Sequence, residues 1–162
     1  MCLDGFVRHT DPEYAPDGQT SFTDGYPFLL AAHSSLLAIN KTLKEPITMP
    51  RFRPNIVVEN SIPYDEDKWR DIIFKSNNKV INPVVMTAVK PCDRCKVPTI
   101  DLELGILHPE NEPIRSMKKF RSGEALGFGN EQWSQAVRSF LIGWLIYSIL
   151  SYFTSLLYYV LI

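Results

Sequence analysis

Apolar and polar positions change rhythm several times along the chain. Residues 1–20, MCLDGFVRHTDPEYAPDGQT, hold two prolines and several Asp and Gly without a sustained period, which predicts an irregular start. After the turn signal Asp24-Gly25-Tyr26-Pro27 comes an apolar run over residues 28–32. Ser34 then opens a helical stretch with Leu36, Ile39 and Leu43 at helix-like spacing, and Pro46 stops it. The β-branched trio Ile56, Val57 and Val58 predicts a buried strand. Tyr64-Asp65-Glu66-Asp67 starts a short helix with acids in its first turn, and Trp69, Ile72 and Ile73 are its apolar contacts.

Residues 83–89 alternate weakly and are rich in β-branched side chains, so they predict a strand that delivers the chain to Pro91-Cys92-Asp93-Arg94-Cys95. Residues 102–130 are polar and punctuated by Pro109, Pro113, Gly105, Gly123, Gly127 and Gly129, a loop composition. The rhythm then stops. Residues 139–162 read SFLIGWLIYSILSYFTSLLYYVLI with no charge and no proline, and a helix of that length would rise roughly 36 Å, enough to cross a bilayer. Trp144, Tyr158 and Tyr159 stand toward its ends. Arg138, Arg121, Lys119 and Lys118 precede it, so a tail anchor with the N-terminal domain in the cytosol is expected. A buried core helix, or a translated intron or frame error, is the alternative for the same segment; without a genuine tail the protein would be soluble and cytoplasmic. The organisation expected is α+β: a start at 1–19, a domain at 20–130, a linker at 131–138 and the hydrophobic helix at 139–162.

Charge and cysteine content narrow the function. A net charge of -1 and a pI near 6.3 remove the electrostatic motive for nucleic-acid binding. Cys2, Cys92 and Cys95 are an odd set in a chain without a secretory leader pattern at its start, which favours a reducing compartment over a disulfide scaffold.

Two constellations could carry chemistry. Pro54 disfavours the α region for Arg53, and in an extended run Arg53 and Asn55 would share a face, an Arg fork for a phosphate beside an amide for a heterocycle edge. The alternative is that Arg53 pairs with a carboxylate and Asn55 caps a turn. For Cys92-x-x-Cys95, a zinc site lacks a second ligand pair, and Pro98 after the motif argues against a helix start of the thioredoxin kind. Two structural cysteines remain open. So does a single reactive thiolate at Cys95 favoured by Lys90, Arg94 and Lys96.

Asp24-Gly25-Tyr26-Pro27-Phe28, Arg51-Phe52-Arg53-Pro54-Asn55-Ile56-Val57-Val58, Cys92-Asp93-Arg94-Cys95 and Thr99-Ile100-Asp101 follow one another in the order found in the MOSC family. In this respect residues 20–130 resemble the molybdenum cofactor sulfurase C-terminal domain and the mitochondrial amidoxime-reducing component. The resemblance implies a partial MOSC-type, β-rich domain with a barrel-like sheet and short helices, truncated at both ends relative to the family pattern. It implies molybdenum cofactor (molybdopterin) as ligand, with Cys95 as the molybdenum ligand and catalytic centre. Arg53, Asn55 and Arg94 become cofactor contacts, and Gly25 with Tyr26 a loop approaching through backbone atoms. Asp93 departs from the Ser common at that position in the reductases. Pyridoxal phosphate binding belongs to the family only as a whole.

The implied activity is oxygen-atom removal from N-hydroxylated compounds, with electrons from a cytochrome b5-type partner and a place at the mitochondrial outer membrane. The other readings are a persulfide sulfur carrier of the sulfurase type and an inactive truncated paralogue.

Overall fold

The structure, a computed structural model, describes residues 7–21, 25–75, 83–93, 95–126, 145–147 and 158–161. Its strands form three separate sheets. β1 (Val7–His9) and β2 (Gln19–Ser21) pair antiparallel, so the stretch expected to be irregular carries a small hairpin. The Thr10 hydroxyl closes its loop by donating to the Ala15 carbonyl at 2.6 Å, and short polar ties of this kind leave no period in the sequence.

The apolar run over 28–32 gives β3 (Leu30–Ala32), wholly buried, and helix α1 (His33–Asn40) follows directly. α1 ends six residues before Pro46. A 3-10 helix, Met49–Phe52, then leads into β4 (Ile56–Val58), which runs parallel to β3 with Leu30 opposite Ile56 and Ala32 opposite Val58. Only Val58 of the trio is buried, and Val57 is exposed, because a strand paired on one side alternates its faces.

Asp65–Lys68 is a 3-10 helix, as the acidic turn suggested, but Ile72 and Ile73 do not extend it. They belong to β5 (Asp71–Lys75), which pairs antiparallel with β6 (Val84–Ala88), placing Ile72 opposite Met86. The Thr87 hydroxyl donates across the pair to the Asp71 carboxylate at 2.9 Å. Ile72 and Leu30 are fully buried with Val58 and Trp69. Each such aliphatic contributes about 1.5–3 kcal/mol, which outweighs the weak helical periodicity at this point.

The segment expected to be one hydrophobic helix is corrected. Leu145–Tyr147 is β7, antiparallel to β6, and Tyr158–Leu161 is β8, parallel to β5, giving a sheet in the order β7-β6-β5-β8. Aromatic and β-branched residues suit a pleated surface. Pairing them with β5 and β6 satisfies backbone edges that a separate helix would leave open. Among the described residues no helix is long and apolar enough to cross a membrane. The linker at 131–138 and the rest of 139–162 lie outside the described residues. The three sheets do not close, so the expected barrel is absent among the described residues as well.

Residues read as loop contain α2 (Ile114–Arg121). Its N-terminus is held by Glu112, whose carboxylate accepts from the Ser116 N–H at 3.0 Å and from the Ser116 hydroxyl at 2.9 Å. Its buried face is Ser116, Met117 and Arg121, a set with one apolar member, and this hid the helical period. Arg121 is buried because Nη1 and Nη2 donate to the two oxygens of Asp67 at 2.6 and 2.7 Å, and because it lies over the Tyr64 ring.

Candidate functional site

One core supports three of the four motif segments. Tyr26, Phe52 and Cys92 are buried together with Leu36, Ile39 and Met117. Each stands beside a candidate site residue: Gly25 precedes Tyr26, Arg53 follows Phe52, and Cys95 follows Cys92 by three. The hydrophobic effect therefore gathers segments that are far apart in sequence, and the polar candidates project from the rim.

Phe52 and Arg53 are set by a tight turn. Arg53 closes the 3-10 helix with its N–H donating to the Pro50 carbonyl at 3.0 Å, and it lies at φ 55°, ψ 44°. Pro54 disfavours the right-handed region while the turn demands a helical-type cap, so the left-handed region remains. The extended geometry expected for Arg53 is thus incorrect. With it goes the argument that Arg53 and Asn55 share a face.

Asn55 has a different task. Its side-chain oxygen accepts the Leu29 N–H at 2.8 Å, while its own N–H donates to the Leu29 carbonyl at 2.8 Å. This two-point clamp fixes how β4 enters beside β3, close to the turn-capping alternative. Arg53 is exposed, and its guanidinium has no ion pair or hydrogen bond among the described residues. It remains available to an anion.

Tyr26 is 3 % exposed, and burial, reinforced by Asp11, Tyr14 and Glu13, pushes its hydroxyl up to about 12. It is a core anchor. A Cβ built on Gly25 would meet nothing within 4 Å, so packing inside the chain does not demand a glycine there.

The two cysteines divide. Cys92 is buried in the core and its thiol donates to the Asp93 carbonyl at 3.6 Å, whereas Cys95 is exposed. Arg94 lies outside the described residues. Of the cations expected to favour a thiolate, Lys90 is held 3.4 Å from the Asp93 carboxylate and 5.3 Å from the centre of the Tyr14 ring. Asp93, the family departure, therefore faces Lys90. Tyr14 joins the first hairpin to the cysteine loop, a contact without any signal in the sequence.

Past Cys95, the 3-10 helix Val97–Thr99 packs on Met49–Phe52. Arg51 Nη2 donates to Asp101 Oδ2 at 3.1 Å beside this contact. Asp101 Oδ1 accepts from the N–H groups of Glu103 and Leu104, both at 2.9 Å; these bonds, then Arg51, hold its carboxyl below the ordinary range. Arg53 and Cys95 consequently leave from two short helices that touch.

A cavity of about 510 Å³ lies elsewhere, between the turn after α1, residues 101–112 and α2. None of the expected site residues lines it. Its charges are largely paired internally, Arg51 with Asp101 and Arg115 with Glu110 at 2.8 Å. Glu66 is the ionisable group that motif reading missed: it is 1 % exposed, and burial pushes its carboxyl up to about 7 against the Ser35 hydroxyl and Arg121. An acid within the Asp65–Lys68 run read as solvated helix start gave no sign of being turned inward.

Residues 17–145 match the sequence profile of the MOSC domain. Over 108 residues the chain is 31 % identical to mitochondrial amidoxime-reducing component 1 from Homo sapiens, covering 67 % of this chain and 30 % of that protein. It is 32 % identical over 108 residues to mitochondrial amidoxime reducing component 2 from Rattus norvegicus, again 67 % and 30 %. With molybdenum cofactor sulfurase from Arabidopsis thaliana the identity is 28 % over 115 residues, 65 % of this chain and 13 % of that protein. The chain spans less than a third of the length of each of these relatives.

Proposed function

The chain belongs to the MOSC domain family, and on that premise we propose that it binds molybdenum cofactor with the Cys95 thiolate as the metal ligand. The observation that carries this reading is the shared core of Tyr26, Phe52 and Cys92, which sets on adjoining turns an exposed thiol and a guanidinium with no ion pair among the described residues. A soft metal takes a thiolate, and an Arg fork takes the phosphate of a pterin. Cys95 and Arg53 fit these demands, and Gly25 offers an open backbone face. Asn55 fits less well, because its side-chain oxygen is committed to Leu29, which leaves only its amide N–H groups for a ligand.

When bound, the cofactor supplies two-electron redox chemistry, here the removal of oxygen from N-hydroxylated compounds. The chain's own residues bind and orient it: Cys95 by ligation, Arg53 and Arg94 by charge. Mitochondrial association belongs to the same proposal and rests on the relatives' names, and a cytochrome b5-type donor belongs to it through the family resemblance alone. The exposure of Cys95 also favours a second reading, a thiol that carries persulfide sulfur, as in a protein related to the sulfurase.

The deciding experiment measures molybdenum and pterin in the full chain purified from a host that makes the cofactor, alongside Cys95→Ala. Stoichiometric molybdenum with pterin in the first and neither in the second is the expected result. A folded chain without molybdenum overturns it, and a persulfide on Cys95 in that chain selects the sulfur carrier.

A further inference from the structure

The turn from Asp101 to Leu107 holds aliphatic side chains out in water: Leu104 is 71 % exposed, Ile106 58 % and Leu107 52 %. Its backbone is tied at both ends. The Gly105 N–H donates to the Asp101 carbonyl at 2.9 Å, the Asp101 N–H donates to the Ile106 carbonyl at 2.8 Å, and Ile100 bridges to Leu107. Gly105 at φ 69° and the two bonds to Asp101 Oδ1 complete the turn. The same three aliphatic residues line the cavity of about 510 Å³, together with Leu43 and Ile47. That volume falls within the roughly 300–1,000 Å³ of small-molecule sites, and a wall already fixed by its backbone lowers the ordering cost of binding.

The polar walls carry a local surplus of cations. Arg51 is matched by Asp101, and Glu112 is spent on the Ser116 N–H and hydroxyl at the start of α2. Glu110 is shared: Arg115 reaches its Oε2 at 2.8 Å through Nη1, and Lys44 stands 3.9 Å from its Oε1. Lys119, one helical turn after Arg115 on the same face of α2, has no ion pair among the described residues, and Glu45 is the remaining acid on the walls. Lys44, Arg115 and Lys119 are thus balanced by Glu110 and Glu45 alone. The Arg115 fork, 60 % exposed, keeps donors beyond Nη1 for another carboxylate. The walls hold no Phe, Tyr or Trp to stack a ring, so the apolar part that fits is an aliphatic chain.

We propose that this cavity binds a small aliphatic carboxylate, its chain along Leu104, Ile106 and Leu107 and its carboxylate at Arg115, with Lys44 and Lys119 beside it. The site contains none of Gly25, Arg53, Asn55 and Cys95, so it stands whether or not the chain takes up a cofactor.

The test titrates the full chain with octanoate, 1-octanol and acetate by calorimetry and follows its backbone amides by NMR. Octanoate should bind at one site and shift the amides of residues 101–119, 1-octanol should bind about tenfold more weakly, and acetate not at all. Arg115→Met combined with Lys119→Met should weaken octanoate about tenfold and leave 1-octanol unchanged. Leu104→Ser, at a position outside the folded core, should weaken both. A folded chain without saturable octanoate binding overturns the proposal. So does 1-octanol binding as tightly as octanoate, wild-type octanoate affinity in either variant, or amide shifts centred on the turns of Arg53 and Cys95.

Discussion

Arg51 and Asp101, fifty residues apart, meet at 3.1 Å and tie the segment bearing Arg53 to the one following Cys95. Asp101 also caps its own turn through two backbone N–H groups. Its depressed pKa means that this contribution is present above the ordinary value of 3.8 and is lost as the pH falls through the lower folded value. Asp101→Asn should keep the turn and lose the ion pair. Its acid unfolding profile should lack part of the wild-type loss below about pH 4, read by circular dichroism.

Asp67 and Arg121 predict an asymmetry. Removing Asp67 leaves a guanidinium that is 4 % exposed without its carboxylate, whereas removing Arg121 leaves an acid that is 30 % exposed and can take up water. Asp67→Ala should destabilise by about 3–5 kcal/mol and Arg121→Met by less, measured by urea unfolding at fixed pH. Equal losses would contradict the burial difference.

Cys92 and Cys95 should separate stability from reactivity. Cys92→Ala opens a gap in the core and should cost about 1 kcal/mol. Cys95→Ala should leave the urea midpoint unchanged while lowering by one the number of fast-reacting thiols, counted with a thiol reagent in the folded protein.

Glu66 predicts a neutral-range loss of stability. Its folded pKa is raised from 4.5 to about 7, so the folded state binds the proton more tightly than the unfolded one. Stability is therefore full below about pH 4.5, declines up to about pH 7 and stays low above it, a span worth about 3 kcal/mol. Glu66→Gln should flatten that slope.

Much of this arrangement was legible in the residues. The placement of Ile56–Val58 and of the strand before Cys92 followed from β-branched runs, and α1 from its apolar spacing, although its N-cap is Ala32 and Ser34, inside the first turn, bonds Ser61 instead of capping it. Motif order placed the chain in its family. The readings that failed share a cause: they took a local preference where a distant partner decides. Arg53 obeys the demands of the turn it caps. Ile72 and Ile73 obey β6, and Leu145–Tyr147 and Tyr158–Leu161 obey the sheet edges beside them. α2 was hidden because its inward-facing arginine is balanced by an aspartate 54 residues away.

The common anchoring of Tyr26, Phe52 and Cys92 has a kinetic side. Turns rooted in separate cores could breathe one at a time, each with its own opening free energy. Turns rooted in one core share a single cooperative unit, so thermal excursions that expose the Cys95 turn also expose those of Gly25 and Arg53. Such a site exists whole or not at all, and a ligand that grips any one turn slows the opening of the other two.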